Sequence, residues 1–507
     1  MAHRCEHLSS ELYHTFNVRA GDTVALVSPN SVDYNSAFHA VLKLGARVTT
    51  ANPLYSAEEL RLQLDLAGAK VIYTISAFEE LARKTAALPS PSTGKVESIG
   101  VLLADRPLKV GDKPVPIPSS EQGFIKGRGD DTVVVPFSSG TTGLPKGVQL
   151  TNRNLITNLY QTDSALESRQ SDVSIAVLPY FHIYGMTVVM NGMMLHGAKQ
   201  IVVPKFDIVS FLELLQKHKA TLLFVAPPMI VGFVKHPNTK LTDTSSVRRV
   251  LSGAAPLHRD VQKMAEEIFS KGTVCQGYGL SETSPVATVA LPGVTGSAGA
   301  LIADCEMRII RVGEQEGGGE ATEGIDVAEG EEGEIWFRGP NIMKGYLKQE
   351  DTDKVMAKGG WFRTGDIGKV DVSNEHLIIT DRLKELIKFK GFQVAPAELE
   401  GLLQTHPLVL ETIVVGIPDP LDRGCELPRA QVALRPTATE DDIKNIEQTL
   451  MKFVEQHVAP YKKLRGGVRV VPAVPKSPAG KLLRRIAKAQ ELEHLKEHPR
   501  FPHATYQ

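Results

Sequence analysis

The stretch Val133-Val134-Val135-Pro136-Phe137-Ser138-Ser139-Gly140-Thr141-Thr142-Gly143-Leu144-Pro145-Lys146-Gly147-Val148-Gln149-Leu150-Thr151 opens on one apolar, β-branched run and closes on another. Both runs have the composition of buried strands, so a strand–loop–strand unit is expected. Between them, Ser138 to Gly147 carry four hydroxyls, three glycines and Lys146. Glycines let backbone N–H groups turn toward an anion, hydroxyls add donors, and a lysine adds a mobile positive charge. The loop is therefore a candidate polyphosphate clamp; taken alone it also fits a polar surface turn. Two familiar nucleotide folds fail on spacing. A Walker loop needs Gly-Lys after Gly and four residues, but the fifth position after Gly140 is Pro145. A Rossmann fingerprint at Gly277-Tyr278-Gly279-Leu280-Ser281-Glu282 has Glu282 where its third glycine belongs.

The flanking sequence alternates strand and helix patterns. Thr23–Val27 reads as a strand, Ser31–Leu44 has helical spacing of Val32, Phe38, Val41 and Leu42, and Ser56-Ala57-Glu58-Glu59 is a capping box opening a helix to about Gly68. Val71–Tyr73 follows as a strand, and the repeat recurs through Val173–Leu178, Gln200–Val203, the helix Asp207–His218 and Leu222–Val225. This repeat marks parallel α/β layers. Beyond it, Gly313–Glu334 holds nine acidic residues, seven glycines and no Lys or Arg, a solvated loop between strands Met307–Val312 and Glu334–Arg338. From Lys384 a smaller α+β unit is expected, ending in a charged helix from about Lys481 to Glu497 whose Lys/Arg run reads as a solvated face.

Composition bounds the function. The 507 residues suggest roughly three domain-sized units, and 42% hydrophobic with 23% charged is ordinary globular composition. A net charge of −1 gives no overall attraction to nucleic acid or anionic membranes, so anion binding has to be local. Cys5, Cys275, Cys305 and Cys425 form no CxxC pair, which argues against a zinc site or a disulfide framework and fits a reducing compartment. The most apolar stretch, Thr221–Val234, is short and interrupted by Pro227-Pro228, so neither a signal peptide nor a membrane span is expected. The final residues Ala504-Thr505-Tyr506-Gln507 are not a Ser-Lys-Leu peroxisomal address, and a cytoplasmic location is expected.

Further motifs follow in order: Pro179-Tyr180-Phe181-His182-Ile183-Tyr184-Gly185, Gln276-Gly277-Tyr278-Gly279-Leu280-Ser281-Glu282-Thr283, and Gly360-Trp361-Phe362-Arg363-Thr364-Gly365-Asp366. Then come Asp381-Arg382-Leu383-Lys384-Glu385-Leu386-Ile387-Lys388-Phe389-Lys390-Gly391 and Pro475-Lys476-Ser477-Pro478-Ala479-Gly480-Lys481. With the opening loop, this ordered set resembles the adenylate-forming superfamily of acyl-CoA synthetases, firefly-type luciferases and peptide-synthetase adenylation domains. Within it the chain is most like 4-coumarate–CoA ligases, over nearly its whole length. The resemblance implies an α/β fold: a large N-terminal domain of layered α/β subdomains plus a distorted β-barrel over residues 1–380, a hinge at 381–385, and a small mobile α+β C-terminal domain over 386–507. It also implies ATP, Mg²⁺ and CoA as co-substrates, a small carboxylic acid as substrate, and a monomer or weak homodimer.

The chemistry accounts for the residue types. A carboxylate is a poor electrophile until its oxygen is replaced by a good leaving group such as AMP. Attack on ATP puts negative charge on the α-phosphate and departing pyrophosphate, which calls for cations and N–H donors there. Under the resemblance, Ser138, Ser139, Gly140, Thr141, Thr142, Gly143 and Lys146 clamp the β- and γ-phosphates, and Lys481 reaches between carboxylate and α-phosphate. Gln276, Gly277, Tyr278 and Ser281 wall the adenine and α-phosphate, with serine at a position where the family more often has threonine. Glu282 helps hold Mg²⁺, Asp366 accepts the ribose hydroxyls, and Arg382 holds the ribose–phosphate side. His182 sits at the acyl carboxylate. Lys384 is the hinge on which the small domain swings, withdrawing Lys481 as Lys390 and Gly391 arrive at the thiol tunnel. Lys388 pairs with adenylate phosphate and Lys205 with CoA phosphate.

Each residue has a plainer reading beside this one. Lys481 and Lys205 read alone as solvated lysines, Asp366 as a turn residue, Arg382 as half of a surface ion pair, and His182 as a satisfied core histidine. The acyl pocket implied by the resemblance comprises Ile183, Tyr184, Val188, Leu251, Ala254, Gly277, Gly279, Val286 and Ala287, nearly all small or apolar and suited to an aryl or alkyl chain. Ala287 stands where coumarate ligases tend to carry leucine, so the pocket is expected to be roomier. Gly333-Glu334-Ile335-Trp336-Phe337-Arg338-Gly339 departs from the family's Gly-Glu-Ile-Cys-Ile-Arg-Gly, which weakens assignment to coumarate itself. Relatives carry a longer segment before Gly21-Asp22-Thr23-Val24, so the first subdomain is expected to be short. Three functions stay open: an acid–thiol ligase, an adenylating enzyme of luciferase-like or carrier-loading type, and a truncated nucleotide binder without turnover.

Overall fold

The computed structural model describes residues 1–90, 100–103, 105, 113–118, 129–138, 145–312, 324–383, 385–390, 392–422, 425–476 and 482–498. Local signals place the first layer where the sequence puts it. Thr23–Val27 is a strand buried along its length, flanked in parallel by Arg47–Ala51 and Ala69–Thr74. Ser31 accepts the Tyr34 N–H at 3.1 Å and starts the helix Val32–Lys43. Ser56 and Glu59 close a reciprocal capping box on Ala57–Ala67. These strands belong to an eight-stranded sheet that continues through Thr132–Val134 to Lys146–Thr151.

The opening stretch differs from expectation in one respect. Its first run is split into Thr132–Val134 and Phe137–Ser138, and both pieces pair antiparallel with Lys146–Thr151. The break falls at Val135-Pro136; proline lacks the N–H that a continuous ladder requires.

A seven-stranded second sheet has the order Ala300–Leu301, Val286–Val289, Thr273–Gly279, Arg249–Ser252, Leu222–Val225, Val173–Ala176 and Lys199–Val202. Asp207 caps the helix Ile208–His218 that covers it. The third sheet corrects the expected barrel. Among the described residues it is an open five-stranded array, Glu306–Ile310, Gly333–Arg338, Trp361–Asp371 and Met356–Ala357, with His376–Arg382 also pairing Trp361–Asp371. Its outer strands do not pair with each other, so the sheet has edges where a barrel would have none.

Two large apolar cores are separate. One runs from Leu8 to Leu377 and the other from Ile387 to Ala487. The second lies under an antiparallel pair, Val409–Pro418 with Glu426–Leu434, the parallel strand Val468–Val470, and the helices Pro396–Thr405, Glu440–Glu455 and Arg484–Glu497. The last helix is not the solvated face that its charge suggested. Glu491 on it is fully buried, bonded by Arg429 at 2.5 Å and Arg469 at 3.2 Å. Arg484 at its start is equally engaged, as described below. A charged helix can bury a face when each charge meets an opposite one.

Candidate active site

A cleft of about 1230 Å³ opens between the two cores. The strand Thr273–Gly279 carries Gln276, Gly277, Tyr278 and Gly279 to its wall, and the neighbouring pair Trp361–Asp371 and His376–Arg382 supplies Asp366 and Arg382, which face each other in register. Three side chains meet there. The Tyr278 phenol donates to Asp366 Oδ2 at 2.6 Å, and Arg382 Nε lies 3.0 Å from Asp366 Oδ1. The Thr364 hydroxyl accepts the Asp366 N–H at 3.0 Å and holds the turn. Asp366 is only 3% exposed, and these partners supply the hydrogen bonds that a buried carboxylate needs. Burial and the Asp366 carboxylate push the Tyr278 phenol well above its ordinary pKa, which keeps it a donor.

Glycine is required at 279. A Cβ there would lie 1.7 Å from the Pro285 carbonyl oxygen. Gln276, expected at the adenine, also serves the scaffold. Its carbonyl accepts the Leu257 N–H at 2.9 Å and its amide donates to Gln262 at 3.0 Å.

A second cluster follows along the chain at the short turn Ser281–Thr283. The Tyr346 hydroxyl donates to Glu282 Oε1 at 2.7 Å, and Lys146 Nζ lies 5.0 Å from the centre of the Tyr346 ring and 3.2 Å from Asp351. Antiparallel pairing of Tyr346 with Val148 sets this placement. Ser138 Oγ is buried beside this cluster, on the Tyr346 side, next to the candidate phosphate loop. Burial and the Glu282 charge raise the Tyr346 phenol far above its usual range. Tyr346 and Asp351 were not among the sequence candidates. No local pattern marks them, because their role arises from pairing with strand Lys146–Thr151.

Of the expected acyl-pocket residues, Ala254, Gly277 and Gly279 line the cleft, whereas Ile183, Tyr184, Val188, Leu251, Val286 and Ala287 are buried in the large core behind it. Leu251 touches the wall directly, 3.4 Å from where a Gly277 Cβ would stand, and Val286 pairs with Gly279. The Tyr184 hydroxyl donates to the Leu251 carbonyl at 2.9 Å. His182 precedes the π-helix Tyr184–Asn191, and its Nδ1 accepts the Tyr184 N–H at 3.3 Å.

Lys205 is exposed after the strand Lys199–Val202, and Lys388 and Lys390 are exposed on the hairpin Ile387–Phe389/Phe392–Val394; none of the three lines the cleft. Ser139, Gly140, Thr141, Thr142, Gly143, Lys384, Gly391 and Lys481 lie outside the described residues. Lys476 and Leu482, on either side of 477–481, form an antiparallel bridge and both line the cleft.

Where the two cores adjoin, Arg484 reaches Glu385 and Glu400, each at 2.5 Å. Burial raises Glu400 to about 7, partly offset by Arg484, and raises Asp381 to about 6. Among the described residues no group of three or more His, Cys, Asp or Glu is arranged to hold a metal ion, and no helix is long and apolar enough to cross a membrane. All four cysteines are free.

The AMP-binding enzyme family profile matches residues 1–347, and the profile of the AMP-binding enzyme C-terminal domain matches residues 398–481. The chain belongs to the AMP-binding enzyme family. It is 38% identical over 493 residues to a probable 4-coumarate–CoA ligase 1 of Dictyostelium discoideum, covering 93% of this chain and 86% of that one. It is 36% identical to a 4-coumarate–CoA ligase of Pinus taeda over 489 residues, with the same coverage. Among solved AMP-binding enzyme folds, the o-succinylbenzoate CoA synthetase of Bacillus subtilis in complex with its acyl-adenylate intermediate superposes with a TM-score of 0.78 at 26% identity, covering 96% of this chain and 91% of that one. ATP-bound MatB of Rhodopseudomonas palustris shares the fold with a TM-score of 0.82 at 24% identity, covering 98% and 93%.

Proposed function

We propose that the chain activates an aryl, hydroxycinnamate-like or medium-chain carboxylic acid with Mg·ATP and passes the acyl group to CoA. Its relatives and family make it an ATP-dependent, AMP-forming CoA ligase; the acid and the residue roles are the finer reading. In the first step a carboxylate oxygen attacks the α-phosphorus, pyrophosphate leaves, and an acyl-adenylate forms. In the second the CoA thiolate attacks the acyl carbonyl and AMP leaves.

The observation that carries the reading is the Asp366 carboxylate, fixed by Tyr278 and Arg382 at the wall of a cleft between two cores. Asp366 accepts the ribose hydroxyls, and Arg382 compensates its charge and that of the nearby phosphate. Lys146, Ser138 and residues 139–143 hold the β- and γ-phosphates. Glu282, with one oxygen on Tyr346, helps hold Mg²⁺ together with the phosphates and water. Lys481 stabilises charge between carboxylate and α-phosphate, and its neighbours Lys476 and Leu482 at the cleft support that role. His182 and the apolar residues behind Gly277 and Gly279 hold the acid.

In this reading residues 1–380 form the large unit and 386–507 the small one, with a hinge at 381–385. The enzyme is cytoplasmic and a monomer or weak homodimer. Pyrophosphate release from a panel of acids, with and without CoA, tests the proposal. A CoA-dependent thioester is the expected product. Adenylate without thioester indicates an adenylating enzyme of another type, and no pyrophosphate with any acid overturns the reading.

A further inference from the structure

Three contacts among the described residues cross the boundary between the two cores and bear on how they dock. Gly401, buried on the helix Pro396–Thr405, packs so closely on His258 that a Cβ at 401 would lie 2.6 Å from the imidazole Cδ2. Asp381, near the end of the strand His376–Arg382 of the third sheet, accepts the Ala397 N–H at 3.3 Å in the first turn of that same helix. Lys235 Nζ, from the helix Pro227–Lys235, donates to the Val409 carbonyl at 3.0 Å at the start of the small unit's longest strand.

We propose that this seam, with the Gly401–His258 contact at its centre, docks the small unit in the orientation that serves adenylation, and that His258 and Gly401 are positioning residues for that half-reaction. The inference rests on the two-step reading given above. Three observations support it. The orientation puts Lys476 and Leu482 on the cleft with Asp366, while Lys388 and Lys390, exposed on their hairpin, do not line it. His258 and Gly401, like Lys235 and Val409, lie on opposite sides of the proposed hinge, so rotation about it separates both pairs, whereas Asp381 is the first residue of the hinge. The ion pair of Arg484 with Glu400 joins residues on one side only and is free to persist in either orientation, and Glu385, the other partner of Arg484, is the last residue of the hinge.

The His258 Nδ1 accepts the Asp260 N–H at 3.4 Å at the start of the helix Arg259–Ile268, with Cδ2 on the Gly401 side. Glycine inside a helix costs about 0.5–1 kcal/mol relative to alanine. The close approach of His258 explains why one stands at 401.

Gly401→Ala therefore separates docking from folding. Alanine favours the helix itself, but its methyl meets the imidazole only when the small unit is docked as it is in this structure. The wild-type enzyme is first shown to catalyse acid-dependent pyrophosphate exchange and to convert preformed acyl-adenylate and CoA to thioester. Failure at that stage overturns the functional reading rather than this inference. In Gly401→Ala, pyrophosphate exchange is expected to fall about tenfold relative to thioester formation from acyl-adenylate, equivalent to about 1.4 kcal/mol.

Adding His258→Asn removes the ring while retaining a capping side chain, and is expected to restore the ratio of the two rates to within about threefold of wild type. A ratio unchanged in Gly401→Ala, an equal fall in both half-reactions, or no recovery in the double variant overturns the proposal.

Discussion

Tyr278 and Asp366 come from strands of different sheets, 88 positions apart, and meet at 2.6 Å, with Arg382 completing the carboxylate's coordination from its other oxygen. The carboxylate is thus aimed by the protein's own side chains. Preorganisation of this kind lowers the ordering cost of binding, because the acceptor does not have to be gathered from solvent-exposed rotamers.

Tyr278→Phe removes one donor from a charged acceptor, a loss of about 1.5–3 kcal/mol when such a bond is broken. We expect the KM for ATP to rise by about tenfold or more with a smaller change in kcat. Pyrophosphate release measured against ATP concentration gives both parameters; an unchanged KM removes Tyr278 from the nucleotide site.

Lys481→Ala deletes the charge proposed to lie between the carboxylate and the α-phosphate. Adenylation is expected to disappear while thioester formation from preformed acyl-adenylate stays near wild type. Equal loss of both activities contradicts the division of labour between the two half-reactions.

Ala287→Leu adds three carbons to a position with no solvent exposure. Overpacking of this kind costs about 1–3 kcal/mol, so the melting temperature should fall. If Ala287 widens the acyl pocket, kcat/KM for ring-substituted acids drops further than for small ones. A uniform loss across the acid panel places the residue in the core only.

Glu400 supplies a pH test. Burial raises its pKa to about 7, whereas in the unfolded chain it titrates near 4.5. The folded protein therefore binds this proton more tightly, and the stability it contributes is present below the unfolded value and is lost as pH rises through about 7. Glu400→Gln cannot titrate. The difference in melting temperature, wild type minus variant, should be largest near pH 5 and shrink toward pH 8; a flat difference shows that Glu400 does not titrate in this interval.

Part of the candidate site was legible in the sequence. The Gly-Asp turn at Gly365-Asp366 and the Asp-Arg pair at Asp381-Arg382 are local, and strand pairing brings Asp366 opposite Arg382. Tyr346 carried no such signal. It reaches Glu282 only because the short strand Gly345–Tyr346 adds to the edge of Lys146–Thr151. Arg484 looked like one more solvated charge on a helix. It is instead held by two carboxylates, Glu385 just after the strand His376–Arg382 and Glu400 on the helix Pro396–Thr405.

What the sequence by itself determined were the capped helices, the buried strands of the first two sheets and the ordered motifs, because capping, alternation and turn chemistry act over a few residues. Ser31 on Tyr34 and Ser56 with Glu59 need no distant partner. Only the tertiary structure decided that the third sheet stays open, that Gln276 spends its amide on Leu257 and Gln262, and that Gly401 meets His258 across the boundary of two cores. Each of these depends on how sheets and helices stack over long sequence separations, where packing geometry chooses the partner and local composition is silent.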